Sequence, residues 1–201
     1  AAGATAIDLG IARDDLDDVL ARLRRGIAEA DAVIVAGGVS VGPYDVVKLA
    51  FETLGRVDLW RVAVQPGKPF AFGLAPGGVV LFGLPGNPVS SFVTFELFVR
   101  PAIRRLAGHS RLLRETDQGI LLEPVTKAPG RRAFLRVVVE RDPTGRAVRD
   151  DAGRLRVRLA GGQGSHVLSA LAAAEALAVV PEAFDALPAG ALVELIRLDR
   201  P

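Results

Sequence analysis

Hydrophobic and polar positions follow two different rhythms along this chain, and the change of rhythm divides it. In the first half, helical spacing alternates with short apolar runs. Leu16, Leu20, Leu23 and Ile27 recur at the interval of one buried helix face, behind Asp14 and Asp15, which supply a helix start. Ala32-Val33-Ile34-Val35-Ala36 is apolar without interruption, as in parallel strands covered on both faces. A second helix is predicted over 44–54, with Gly55 as its C-cap. Residues 5–9, 59–64, 70–74 and 79–82 read as strands, the last two forming a hairpin around Pro76-Gly77-Gly78. A long apolar helix follows over 89–106, ended by Gly108. This order predicts an α/β sheet with helices on both faces.

Beyond about residue 111 the segments shorten. Residues 119–122, 133–140, 155–159, 177–180 and 192–198 read as strands, separated by turns such as Asp142-Pro143-Thr144-Gly145 and Asp151-Ala152-Gly153. Only 167–175 reads as helix. Short strands with such punctuation predict a small β-barrel or sandwich. The boundary is expected near 109–115, and no internal repeat or low-complexity tract is read.

Composition narrows the setting. The 201 residues leave room for one large domain or two small ones, and half of them are hydrophobic, enough for a core. With no cysteine there is neither a disulfide framework nor a thiolate metal site, and a cytoplasmic location is favoured. No apolar run is long enough to span a bilayer, so no membrane partner is expected. The N-terminus has no basic segment and no cleavage pattern. Its first residues read as the middle of a domain, so further sequence upstream is expected. The net charge is only +2 and aromatics are 5%, which favours a solvated Arg-rich surface over a nucleic-acid-binding one.

Ligands on open α/β sheets bind beyond the carboxyl ends of the strands, and two glycine loops stand at such places. In the first, Gly37, Gly38 and Gly42 let backbone N–H groups turn toward an anion, and Ser40 adds a hydroxyl. Asp45 reads either as a cap on the next helix, which its spacing favours, or as a ligand for a divalent cation. In the second loop Pro85 and Pro88 stiffen the backbone, Gly86 permits an unusual backbone angle, and Ser90 and Ser91 fall in the first helical turn. That loop reads equally as an anion site at a helix start or as a rigid turn capped by Asn87. Between the two, Gln65-Pro66-Gly67-Lys68-Pro69 holds a lysine on a stiff turn, which suits phosphate or a similar oxyanion. Further on, Gly161-Gly162-Gln163-Gly164-Ser165-His166 offers backbone donors and a serine; His166 reads as structural, since the only other histidine is His109. Arg131, Arg132 and Arg136 cluster at a strand start, Arg132 and Arg136 on one side and Arg131 on the other.

Taken together, DAVIVAGGVSVGPYDVVK, LWRVAVQPGKPFAFG, LFGLPGNPVSSFVTFELFVRP, GRRAFLRV and GGQGSHVLSALAAAEALAVVP resemble the MoeA and gephyrin E-domain family, in family order and over most of the chain. The resemblance implies a MogA-like three-layer α/β molybdopterin-binding domain over 1–110, N-terminally incomplete, and a C-terminal β-barrel domain over 111–201. It implies a molybdopterin molybdenumtransferase, which inserts molybdate into adenylylated molybdopterin with release of AMP, uses Mg²⁺ and works as a homodimer. By the same resemblance Asp45, Lys68 and Arg61 match catalytic positions, Asp45 also being the metal ligand. Gly37, Gly38, Ser40, Gly42, Pro66, Gly67, Gly86, Asn87, Pro88, Ser90, Arg131 and Ser165 match binding positions. Arg61 stands where a lysine is frequent, and Gln65 stands where many members carry a lysine, which removes one positive charge. Competing readings are a molybdopterin adenylyltransferase of the same superfamily, against which the second domain argues, and a gephyrin-like peptide-binding scaffold.

Overall fold

The structure, a computed structural model, describes residues 2–39 and 46–198, without the side chains of 58–60. The chain forms two compact units. The first comprises Ala1–Val62 and Gly67–Leu112, and the second Ala63–Pro66 and Leu113–Pro201. The short segment 63–66 thus joins the second unit although its chain neighbours on both sides belong to the first.

In the first unit, α1 (Leu16–Glu29) starts where the Asp15 carboxylate accepts the Asp18 N–H. Its Val19, Leu20 and Leu23 are buried, and Gly26 admits the Val33 and Leu9 side chains against the helix. Strand β1 (Ala32–Ala36) pairs in parallel with β5 (Val80–Leu84); β4 (Pro69–Leu74) and β2 (Arg56–Arg61) follow antiparallel, giving the order β1-β5-β4-β2. One face carries α1 and α2 (Val46–Leu54), with Val33, Leu81, Val47, Ala50 and Phe51 in a shared core. The other face carries α3 (Pro88–Thr94) and α4 (Arg100–Leu106), joined by a π-helical turn over Phe95–Val99. Phe70, Phe82, Leu84 and Val99 form the core there. The three layers are those expected. The π-turn has a covalent cause: Pro101 has no N–H to give to the carbonyl four residues back, and the Arg100 N–H reaches the Phe95 carbonyl instead.

Three local expectations need correction. Residues 5–9 form no strand: a strand needs ladder partners, and these residues pair with no strand among the described residues. Leu9 instead packs on the α1–α2 core and its carbonyl accepts from Arg22. Second, β1 is not covered on both faces. It lies at the sheet edge, where Ile34 remains 41% exposed beside the buried Phe82. Third, Gly55 is not a left-handed C-cap. It is absent from the positive-φ glycines, and a Cβ there would stand 2.2 Å from the Leu74 carbonyl oxygen. Its glycine is required by a close backbone approach.

The second unit closes a five-stranded barrel. Strands β6 (Thr116–Leu121), β8 (Arg132–Val139), β9 (Leu155–Leu159), β10 (Ala176–Val180) and β12 (Leu192–Arg197) run in the order β10-β12-β6-β9-β8, and a β10–β8 pairing completes the ring. Alternate residues point inward: Ala133, Leu135, Val137 and Val139 of β8 meet Ala176, Ala178 and Val180 of β10, with Leu121, Val157 and Leu195. All five strands were legible as short strand-like segments between turn residues. The two-residue strands β3 (Val64–Gln65), β7 (Val125–Thr126) and β11 (Ala186–Leu187) were not, being too short to carry a period. β3 adds to the first residues of β8, and β11 pairs with β7. α5 (Leu168–Ala173) lies within the predicted helix.

The turns on the way from β8 to β9 hold a short repeat that sequence inspection passed over. Arg-Asp-x-x-Gly-Arg occurs at 141–146 and again at 149–154. In each, the first arginine donates to the glycine carbonyl, and the aspartate accepts N–H bonds from two residues on and four residues on. Hydrogen bonds, first of all from the Thr144 hydroxyl to Asp142 and from the Arg154 side chain to Asp150, hold both carboxyls below their ordinary value of 3.8. A depressed carboxyl contributes stability above its unfolded-state pKa and loses it as pH falls through the folded value. Acidification below about pH 4 is therefore expected to loosen these two turns before the barrel core. Amide exchange at Thr144, Arg146, Ala152 and Arg154 measures this; protection that stays constant from pH 6 to pH 3 would contradict it.

Candidate functional site

Strand register gathers the candidates of the first unit on one rim of its sheet. Because β1 and β5 are parallel, with Ala36 opposite Leu84, the loops that leave them start side by side, and the Gly37 N–H donates to the Leu84 carbonyl at 3.0 Å. β4 runs the other way, so its first residues, not its last, stand beside the end of β5, with Ala71 opposite Gly83. Arg61, the last residue of β2, faces Pro69. Gly37, Gly86, Lys68 and Arg61 therefore share one edge, across four strands spaced about 4.8 Å apart.

The glycines here are required by contact as well as by angle. Gly37 and Gly38 have φ of 94° and 66°. A Cβ on Gly38 would lie 2.5 Å from Val47 Cγ2. Gly86, by contrast, has no positive φ, which corrects the expectation of an unusual angle. A Cβ on Gly86 would stand 3.4 Å from the Gly37 Cα, an ordinary contact, so the two loops lie side by side there and neither angle nor space demands glycine. Asn87 begins α3 without a side-chain cap bond, so the capped-turn reading of this loop fails at that atom. Its Oδ1 is buried and unpartnered. Pro88 follows at the first helical position, Ser90 is buried, and the Ser91 hydroxyl donates to the Pro85 carbonyl. Ser40, Gly42 and Asp45 lie outside the described residues.

Arg61 and Lys68 are exposed, and neither side chain has an ion pair or hydrogen bond among the described residues. Two cations thus stand close in register at one end of the sheet with no partner among the described residues. Gly67 is buried with φ 117°, and the Val62 N–H donates to the Lys68 carbonyl, closing the turn. Gln65 and Pro66 belong to the second unit, joined by a cis peptide bond. There the Gln65 Oε1 accepts the Ala128 N–H at 2.9 Å, so this side chain is a tether within the barrel unit.

The second unit separates its candidates. Arg131 immediately precedes β8, half-buried and without a partner among the described residues; Arg132 pairs with Glu182 on the surface. Arg136 lies roughly 16 Å further along the strand and is fully buried. Its Nη2 donates to the carbonyls of Gly162 and Gly164, both at 3.1 Å, and burial pushes its guanidinium below the ordinary value. Sequence reading gave Arg136 no role in the glycine loop. The signal was an arginine inside the apolar run Phe134-Leu135-Arg136-Val137-Val138, where a charge requires acceptors. Ser165 is half-buried and its hydroxyl has no partner among the described residues, whereas His166 is exposed with its ring over Gly164. Among the described residues no three His, Asp or Glu side chains come together. The expected Mg²⁺ thus has no ligand set there, its one candidate being Asp45. No helix of the described residues is long and apolar enough to cross a membrane.

Comparison with known proteins agrees with this geometry. Residues 1–105 match the family described as "Probable molybdopterin binding domain", and residues 118–198 match the "MoeA C-terminal region (domain IV)". A molybdopterin molybdenumtransferase of Haemophilus influenzae is 35% identical over 94% of this chain and 45% of its own length. Molybdopterin molybdenumtransferase 1 of Mycobacterium tuberculosis is 34% identical over 93% of this chain and 43% of its own. Among solved structures, a molybdopterin biosynthesis MoeA protein of Pyrococcus horikoshii superposes with a TM-score of 0.72 at 28% identity, over 94% of this chain and 42% of that one. The chain spans about half the length of the curated relatives it matches. With a glycine-lined α/β rim in its first unit and a closed barrel in its second, the chain belongs to the molybdopterin-binding family of MoeA type.

Proposed function

We propose that the protein to which this chain belongs inserts molybdate into adenylylated molybdopterin and releases AMP. The observation that carries the reading is the shared rim of Gly37, Gly86, Arg61 and Lys68. Backbone N–H groups of glycine turns suit phosphate, and two cations beside them, unpaired among the described residues, offset the repulsion between a phosphorylated pterin and an incoming oxyanion. No side-chain nucleophile is needed for this work; the protein holds two anions in place while the phosphate linkage is cleaved. In this reading Lys68 and Arg61 screen charge. The family resemblance assigns ligand binding to Gly37, Gly38, Ser40, Gly42, Pro66, Gly67, Gly86, Asn87, Pro88 and Ser90 and, separately, to Arg131 and Ser165. A divalent cation accompanies the phosphates, with Asp45 as its candidate ligand here, and the whole protein is a cytoplasmic homodimer. The cation, its Asp45 ligand and the homodimer rest on the family resemblance, and the cytoplasmic location on the cysteine-free sequence. The barrel's match to the MoeA C-terminal region speaks against the adenylyltransferase alternative.

The test uses the intact protein: AMP release from adenylylated molybdopterin on addition of molybdate. Lys68→Ala and Arg61→Ala are each expected to lower kcat/KM by about 10- to 100-fold, as loss of a preorganised charge does. Intact protein that shows no molybdate-dependent AMP release would sink the proposal.

A further inference from the structure

We infer that Arg136 is a positioning residue, which holds the Gly161–Ser165 loop in the shape that presents Ser165. The inference rests on the reading above that Ser165 serves the ligand. Arg136 lies on the outer side of β8, since its neighbours Leu135 and Val137 fill the barrel interior. It is 0% exposed, yet its hydrogen bonds go to two carbonyls of this one loop, and its Nε and Nη1 are buried without partners. No carboxylate pairs with it among the described residues. A buried guanidinium met only by neutral carbonyls is a poor source of stability, because its desolvation is not repaid by an opposite charge. What it does secure is geometry: two carbonyls two residues apart are turned to the same nitrogen.

The same strand residue holds the loop by a second route. Gln163 Oε1 accepts the Arg136 N–H at 2.9 Å, and Gln163 Nε2 donates to the Arg136 carbonyl at 3.1 Å and to the Gly161 carbonyl at 2.9 Å. Loop residues 161, 162, 163 and 164 are thereby all fixed through one position of β8. The next residue, Ser165, is left with its hydroxyl unpartnered among the described residues. A loop this rich in glycine has unusually many backbone conformations to lose on ordering, so a clamp on its carbonyls is the means available to define it.

The experiment compares Arg136→Met, Arg136→Lys and Ser165→Ala in the intact protein. Methionine keeps the length and removes the charge, so the melting temperature is expected to stay within a few degrees of wild type. Amide exchange across 161–166 is expected to rise by about tenfold or more, and adenylylated molybdopterin to bind about tenfold more weakly, as in Ser165→Ala. Lysine, with charge but no planar fork, should fall between. Unchanged exchange at 161–166 in Arg136→Met overturns the clamp. Faster exchange with wild-type binding, while Ser165→Ala binds poorly, overturns the positioning role. If Ser165→Ala itself binds normally, the assignment of Ser165 to the ligand has failed and the positioning role falls with it, whereas the exchange result still decides the clamp.

Discussion

Gly55→Ala is expected to destabilise the first unit by about 3 kcal/mol, the largest effect of any single methyl group considered for this protein. The new Cβ would stand 2.2 Å from the Leu74 carbonyl oxygen and 3.0 Å from the Ala75 Cα. Both atoms are backbone, and Leu74 is the last residue of β4, whose pairing with Arg56 the same shift would disturb. No rotamer change relieves such a contact. The sign makes the test sharp. Gly55 is not at positive φ. Were there space, alanine would stabilise by roughly 0.4–1 kcal/mol through the unfolded chain. Urea unfolding followed by circular dichroism distinguishes the two, and an alanine variant as stable as wild type would show that helix α2 and strand β4 do not approach this closely.

Gly38→Ala should have nearly the same magnitude, about 3 kcal/mol, but from two separable causes. At φ 66° an L-residue costs roughly 1–2 kcal/mol. The remainder is the 2.5 Å contact that its Cβ would make with Val47 Cγ2. Here the obstacle is a side chain. In the double variant Gly38→Ala/Val47→Ala the clash is gone and the strained angle remains. The pair is therefore expected to be about 1 kcal/mol less destabilised than the two single variants added together. Strict additivity would mean that α2 does not press on the loop leaving β1. Because that loop belongs to the proposed anion rim, Gly38→Ala should also weaken ligand binding in the intact protein, and more than Val47→Ala does.

The amino-acid sequence by itself determined the period of each segment and hence the two architectures. Helical spacing from Leu16 to Ile27 marked α1, because burying one face is a demand that segment carries locally, and the short apolar run 133–140 between turn residues marked the longest barrel strand. It also gave the glycine and proline loops as candidates, since those residues announce backbone geometry without reference to partners. What it left open was everything that depends on a neighbour distant in sequence. Residues 5–9 have the look of a strand but pair with none of the described strands. Gly55 owes its identity to backbone passing close by, from Leu74, and not to its own angle. The antiparallel course of β4 brings Lys68 and Arg61 to the rim where β1 and β5 end. Arg136 reaches a loop some 26 residues further along the chain. Hydrogen bonding and close packing between remote segments are properties of the folded pair, so only the tertiary structure decides which loops share an edge and which buried charge holds which turn.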